Sequence, residues 1–302
     1  RLFVVMNRLK ITVVCAISFL SCKNQNEEAK RQFLTEKIPD SVPIVFNNAI
    51  LPDNTIIHKG IFSPDLKTYY YTVSDKDFTN FDIYYIRKLE REWSAPRTAF
   101  FNSIYDDHGM SFAPDGNTVY FSSTRPVPIR SMPQTWHIWK SDKVNGAWTT
   151  PVFVDIPNLR DKLVSHPIIT NAGSLYFHAS NLDYSEMDIY FAKGVNNTFQ
   201  KAERVLIALV PDVGKCTPYV APDEDFLVFA TIGNQLDLWV SFNDGQGNWT
   251  KTKRFSDKIN TLGQGNPSIT PDKKFLFFTT GAYQEKKWNV KWVNIESELQ
   301  KN

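Results

Sequence analysis

A block of about fifty residues recurs five times along this chain, and few folds can accommodate such a period. The segment Phe62-Ser63-Pro64-Asp65 returns as Phe112-Ala113-Pro114-Asp115-Gly116, Val220-Ala221-Pro222-Asp223 and Ile269-Thr270-Pro271-Asp272. A degenerate copy, Ile169-Thr170-Asn171-Ala172-Gly173, fills the gap, so the column Asp65, Asp115, Ala172, Asp223, Asp272 steps by 50, 57, 51 and 49 residues. Each copy leads into an apolar strand: Tyr69-Tyr70-Tyr71, Val119-Tyr120-Phe121, Leu175-Tyr176-Phe177, Leu227-Val228-Phe229, Leu276-Phe277-Phe278. A second column follows (Asp82, His137, Asp188, Asp237, Asn289), and then an aromatic one (Trp93, Trp148, Phe199, Trp249).

Each unit reads as four strands joined by tight turns. Pro-Asp-Gly supplies the turn from first to second strand, because proline presets φ and glycine accepts a left-handed backbone. Asn145-Gly146 and Asp244-Gly245 mark hairpins between third and fourth strands. Aromatic residues make up 14% of the chain, which suits strands better than helices. Fifty residues per four-stranded unit is a propeller period, and the expected fold is all-β, a five-bladed β-propeller of four-stranded antiparallel blades. The last unit stops before its fourth strand, while an orphan strand, Pro43-Ile44-Val45-Phe46, precedes the first and matches Pro151-Val152-Phe153. The N-terminal strand is therefore expected to complete the last blade and fasten the ring.

The Pro-Asp-Gly turn, the aromatic strand and the Asp-Ile-Tyr column together resemble the WD40-like (PD40, TolB-type) repeat, over roughly residues 43–296. The resemblance implies a propeller of the kind found in bacterial envelope proteins, Bacteroidetes type. It says little of function, because related propellers serve as interaction platforms, carbohydrate-binding modules and occasionally lyases or hydrolases.

The N-terminus reads as an address. Met6 to Lys10 is basic, Ile11 to Leu20 is nearly all apolar, and a run that short suits a signal-peptide core better than a membrane span. Phe19-Leu20-Ser21-Cys22 resembles the bacterial lipobox, with Phe19 where leucine is usual, and implies lipidation of Cys22. Residues 1–22 are thus expected to be a signal peptide with lipobox, 23–41 a flexible tether and 42–302 the propeller. The expected location is the bacterial cell envelope, as an outer-membrane lipoprotein facing the periplasm or the cell surface. Of three cysteines, Cys15 falls in the leader and Cys22 takes lipid, so Cys216 has no partner for a disulfide. Without residues 1–21 the chain carries 31 basic and 32 acidic residues. That balance gives no electrostatic case for nucleic acid, and a monomer is expected.

Turns alternate between the two faces of a propeller. The Pro-Asp-Gly and Asn-Gly turns share one face; the longer segments leading into the first strands, and those between second and third strands, share the other. Function is expected on the long-loop face. The lead-ins carry His58-Lys59, Asp107-His108 and Ser165-His166, placing three of five histidines at one mouth of the central channel. Imidazoles so placed can bind a ligand, hold a metal ion or exchange protons, or simply fill a wet channel mouth. The loop from Thr124 to Pro133 adds Arg125 and Arg130, suited to a carboxylate, and Tyr184 lies in the equivalent loop of the third unit. The candidate binding residues are His58, Lys59, Asp107, His108, His166, Arg125, Arg130 and Tyr184. No catalytic residue and no cofactor is assigned, since no GxSxG, HExxH, P-loop or EF-hand motif occurs. His178 reads as a structural residue of a core strand, and His137 has no explanation in its column.

Two functions follow. The first is a binding or scaffold module of the cell envelope for a protein or glycan. The alternative is a carbohydrate-active enzyme, a polysaccharide lyase or glycoside hydrolase, with its site at the histidine-lined mouth.

Overall fold

The computed structural model describes residues 25–35, 37–46, 55–208, 213–282 and 287–300. Cys22 and the expected signal peptide lie outside the described residues. Five antiparallel sheets follow one another along the chain. Blade 1 is built from Ile56–Phe62, Thr68–Ser74, Asp82–Arg87 and Arg97–Thr98; blade 2 from Asp107–Phe112, Thr118–Ser123, His137–Val144 and Val152–Phe153. Blade 3 comprises Leu163–Ile169, Ser174–Ser180, Asp188–Val195 and Glu203–Arg204, and blade 4 Lys215–Val220, Phe226–Ile232, Leu236–Asn243 and Trp249–Arg254. Blade 5 takes Gly263–Ile269, Phe275–Ala282 and Lys287–Asn294 from the C-terminal end. Its outer strand is Ile44–Val45, paired as Ile44 with Trp292 and Val45 with Lys291, and the Phe46 N–H donates to the Val290 carbonyl at 2.9 Å. The expected five-bladed ring, fastened by its N-terminal strand, is the observed fold.

The second strands are apolar at every position because both of their faces are covered. Side chains alternate across a strand, so Leu276 and Phe278 pack towards blade 4 while Phe275 and Phe277 pack towards blade 1. Blade 4 repeats this with Phe226 and Val228 on one side and Leu227 and Phe229 on the other. The core is accordingly divided into five clusters, one at each blade-to-blade interface of a closed five-membered ring. The aromatic column packs at four of these interfaces, with Trp249 buried and Trp93, Trp148 and Phe199 partly so.

The second column has a logic that the structure supplies. Two residues beyond it, the third strand pairs with the outer strand, opposite Arg204 in blade 3, Arg254 in blade 4 and Phe153 in blade 2. Where that partner is arginine, the column holds an aspartate that bonds it: Asp188 with Arg204, and Asp237 with Arg254 at 2.8 Å. Where the partner is Phe153, the column holds His137, whose ring stands edge-on to it at 6.0 Å. The His137 Nε2–H donates to the Pro133 carbonyl at 2.9 Å and closes the long loop.

The segment expected to be a flexible tether is helical over residues 25–33. Glu27 bonds Lys30 one turn on, at 2.9 Å, and Leu34 ends the helix in a left-handed conformation with φ of 47°. Phe33 then enters the interface of blades 5 and 1, its ring within 5.1–6.0 Å of the Phe62, Phe275, Phe277 and Trp292 rings. With Ala29 and Ile38 packed against the same cluster, this aromatic anchor converts a polar stretch into a docked element. No helix among the described residues is long and apolar enough to cross a membrane.

Candidate functional site

All five first strands carry a register irregularity where they line the channel, at His58, His108–Ser111, Ser165–Ile168, Cys216–Tyr219 and Gly265–Ser268. In blades 2 to 5 the bulged residue is left-handed: Gly109 with φ of 66°, His166 57°, Thr217 47° and Asn266 53°. Left-handed backbone is costly for any residue but glycine, most of all for β-branched threonine. The bulge turns backbone N–H groups out of their own sheet and towards the preceding blade. The His166 N–H donates to Ser122 Oγ at 2.9 Å, Thr217 N–H to His178 Nδ1 at 3.1 Å, and Asn266 N–H to Thr217 Oγ1 at 3.3 Å. At the seam between blades 5 and 1 the direction is reversed, with the Thr279 hydroxyl donating to the His58 carbonyl at 2.6 Å.

These bulges wall a cavity of about 400 Å³ at the long-loop mouth. His58, His108 and His166 line it as expected, and His178, read as structural, joins them. The rings form a file, with centroids 6.5 Å apart from His58 to His108, 4.3 Å to His166 and 4.7 Å to His178. Aromatic rings stand alongside: Phe81 lies 4.8 Å from His58 and 5.3 Å from His108, and Trp136 lies 4.9 Å from His108. Phe78, Tyr184 and Trp288 complete the rim, with Tyr184 exposed.

Burial sets the charge of this site. It lowers His58 to about 4 and His178 to about 3, and pushes His108 and His166 well below the usual imidazole value. All four imidazoles are neutral near pH 7. His58 Nε2 meets Ser74 Oγ at 2.6 Å, and His166 Nε2–H donates to Asn266 Oδ1 at 2.8 Å. His108 Nδ1 is buried and has no hydrogen-bond partner among the described residues. Asp106 is the one carboxylate among the described residues lining the cavity, and its Oδ1 accepts the Phe81 N–H at 2.9 Å. Among the described residues no cluster of three His, Cys, Asp or Glu side chains is arranged to hold a metal ion; the imidazoles run in file instead of converging.

The other candidates are placed elsewhere. Asp107 is fully buried and held by Arg125 at 2.6 Å and by the Ser103 N–H at 2.7 Å. Arg125 also donates to the Phe101 carbonyl at 2.8 Å and stacks 5.1 Å from both Phe121 and Trp139. The pair pins the long loop to blades 1 and 2, so Arg125 is not free to take a carboxylate. Arg130 is exposed and does not line the cavity. Lys59 faces a second cavity at the opposite mouth. Sequence reasoning missed His178, Phe81, Trp136 and Asn266. Asn266 alone had a signal there, being in the same lead-in position as the histidines.

No family model matches this chain, and no curated protein matches it. Solved structures similar in fold include TolB from Acinetobacter baumannii, at 12% identity and a TM-score of 0.49, covering 80% of this chain and 55% of that one. A protein of unknown function from Dyadobacter fermentans shows 12% identity and a TM-score of 0.48, over 86% of this chain and 83% of that one. The Cps50 (Swd1) β-propeller domain of Myceliophteria thermophila shows 9% identity and a TM-score of 0.44, over 83% and 77%. This chain spans about half the length of TolB.

Proposed function

We propose that this protein is a glycan-binding module of the bacterial cell envelope, held at a membrane by lipid on Cys22, with its site at the long-loop mouth. One observation carries this reading: uncharged imidazoles and an amide stand beside Phe81, Trp136 and Tyr184 in a single concave opening. Aromatic faces suit the apolar faces of a sugar ring, and neutral donors and acceptors suit its hydroxyls. An opening of about 400 Å³ is the size of a small-molecule pocket, whereas a protein partner would call for a broader and flatter surface. A glycoside hydrolase of the usual kind needs two carboxyl groups across its substrate, and the lining offers Asp106 alone among the described residues.

The test is a glycan array followed by calorimetric titration of the best neutral oligosaccharide. Trp136→Ala is expected to weaken binding by about tenfold or more, the range of a lost aromatic contact. An array without a hit, or titration curves indifferent to Trp136→Ala, would sink the reading. Lipidation is checked separately, by fatty-acid labelling of the wild type that should vanish in Cys22→Ala.

A further inference from the structure

Two polar groups inside the ring have no partner, and both open onto the cavity at the Pro-Asp turn face. Lys59 is 4% exposed and Ser111 3% exposed. Among the described residues the Ser111 hydroxyl is buried without a hydrogen-bond partner, and the Lys59 side chain, which lines the same cavity, makes no ion pair or hydrogen bond with the protein. A lysine so enclosed with no counter-charge beside it is unusual, since such groups are otherwise paired or exposed. Burial alone lowers Lys59 to about 8, so it is largely a cation at neutral pH. The titratable groups that feel its charge, His108, His166 and His178, are neutral and do not balance it.

The rest of the cavity is largely apolar, and its other hydroxyls are engaged, Ser268 by the Gly60 carbonyl and Thr270 by Asp272. Ile61, Ile169, Tyr219 and Ile269 come from four blades, and the turn prolines Pro64, Pro114, Pro222 and Pro271 ring its mouth. Its volume is about 260 Å³, just under the range of about 300–1,000 Å³ that holds drug-sized ligands. A lysine without a counter-charge and an unpartnered hydroxyl in a largely apolar funnel describe the complement of a small amphiphile with an anionic head.

We infer that the Pro-Asp mouth of the channel binds a monocarboxylate with a short apolar body, its oxygens taken by the Lys59 ammonium and the Ser111 hydroxyl. The body lies among the isoleucines and prolines, and the carboxylate supplies the counter-charge that the fold lacks. Repeat-based reading pointed away from this face, because its turns are short; the site is made by side chains inside the channel and owes nothing to those turns. It is independent of the glycan reading, which concerns the other mouth.

Calorimetric titration of the full chain with octanoate, 1-octanol and acetate tests this. Octanoate is expected to bind one per protein, with 1-octanol and acetate each at least about tenfold weaker, as for loss of a charge-assisted hydrogen bond or of the apolar body. Lys59→Met keeps the length and apolar stem of the side chain, and should lower octanoate affinity by about ten- to a hundredfold. Should Lys59→Met not fold, Ser111→Ala, a smaller change, should weaken octanoate several-fold and leave 1-octanol unaffected. Equal affinities for octanoate and 1-octanol in the wild type would overturn the proposal, as would full octanoate affinity in Lys59→Met or, in its place, Ser111→Ala.

Discussion

A Cβ built on Gly60 would stand 1.7 Å from the Tyr69 hydroxyl oxygen and 2.5 Å from its Cζ. The Tyr69 ring cannot swing aside, since Phe46, Phe62 and Tyr71 pack within 4.9–6.0 Å of it. Gly60→Ala should therefore destabilise the protein by about 3 kcal/mol, read as a lower midpoint in urea. Among the described residues the Tyr69 hydroxyl is buried without a partner, so Tyr69→Phe alone should be neutral or stabilising, and should recover part of the loss in the double variant. At this scale the sequence was legible where the repeat frame itself carried the information. His58, His108 and His166 were found because their positions nearly coincide in the five units. His178 was missed because it sits on a second strand, whose apolar pattern reads as core. Only the bulge that exposes the Thr217 N–H shows that this imidazole faces the channel. Asp107 and Arg125 were read as two free ligands, because a sequence does not show that one neutralises the other.

Among the elements, the strands and turns were the most legible part, since proline, glycine and alternating aromatics act locally. The helix over residues 25–33 was not legible: its composition is that of a solvated tether, and its docking rests chiefly on Phe33, with Ala29 beside it, reaching a distant groove. Phe33 is 3% exposed, so Phe33→Ala should cost about 3 kcal/mol by opening a cavity at the ring seam. Hydrogen exchange should then show the helix and the Ile44–Val45 strand opening more readily than the other blades. Unchanged stability would mean that the helix contributes nothing to closure.

For the molecule as a whole, six buried bases among the described residues have proton affinities lowered by burial: Lys59, His58, His108, His137, His166 and His178. The unfolded chain binds protons at these sites more tightly than the folded chain does, so stability rises with pH wherever only the unfolded form is protonated. For the imidazoles that window lies below about 6.5, down to about 4 for His58 and about 3 for His178. Each contributes a slope of about 1.4 kcal/mol per pH unit there, lost progressively on acidification. For Lys59 the window runs upward from about 8. Between pH 8 and 9.5 the wild type should gain on Lys59→Met by about 1–2 kcal/mol, measured by chemical denaturation at each pH. Parallel stability curves for the two proteins would contradict an unpaired buried ammonium.

The docked helix also bears on how far the protein can reach. Three residue steps separate Cys22 from Gln25, the first described residue of the helix, and a fully extended chain covers at most about 11 Å in that distance. On the proposed lipidation, the ring would ride close against the bilayer on a leash shorter than its own breadth. Its ligands would then have to be membrane-proximal or be brought there, and lengthening the leash would enlarge the zone it can search without altering either mouth.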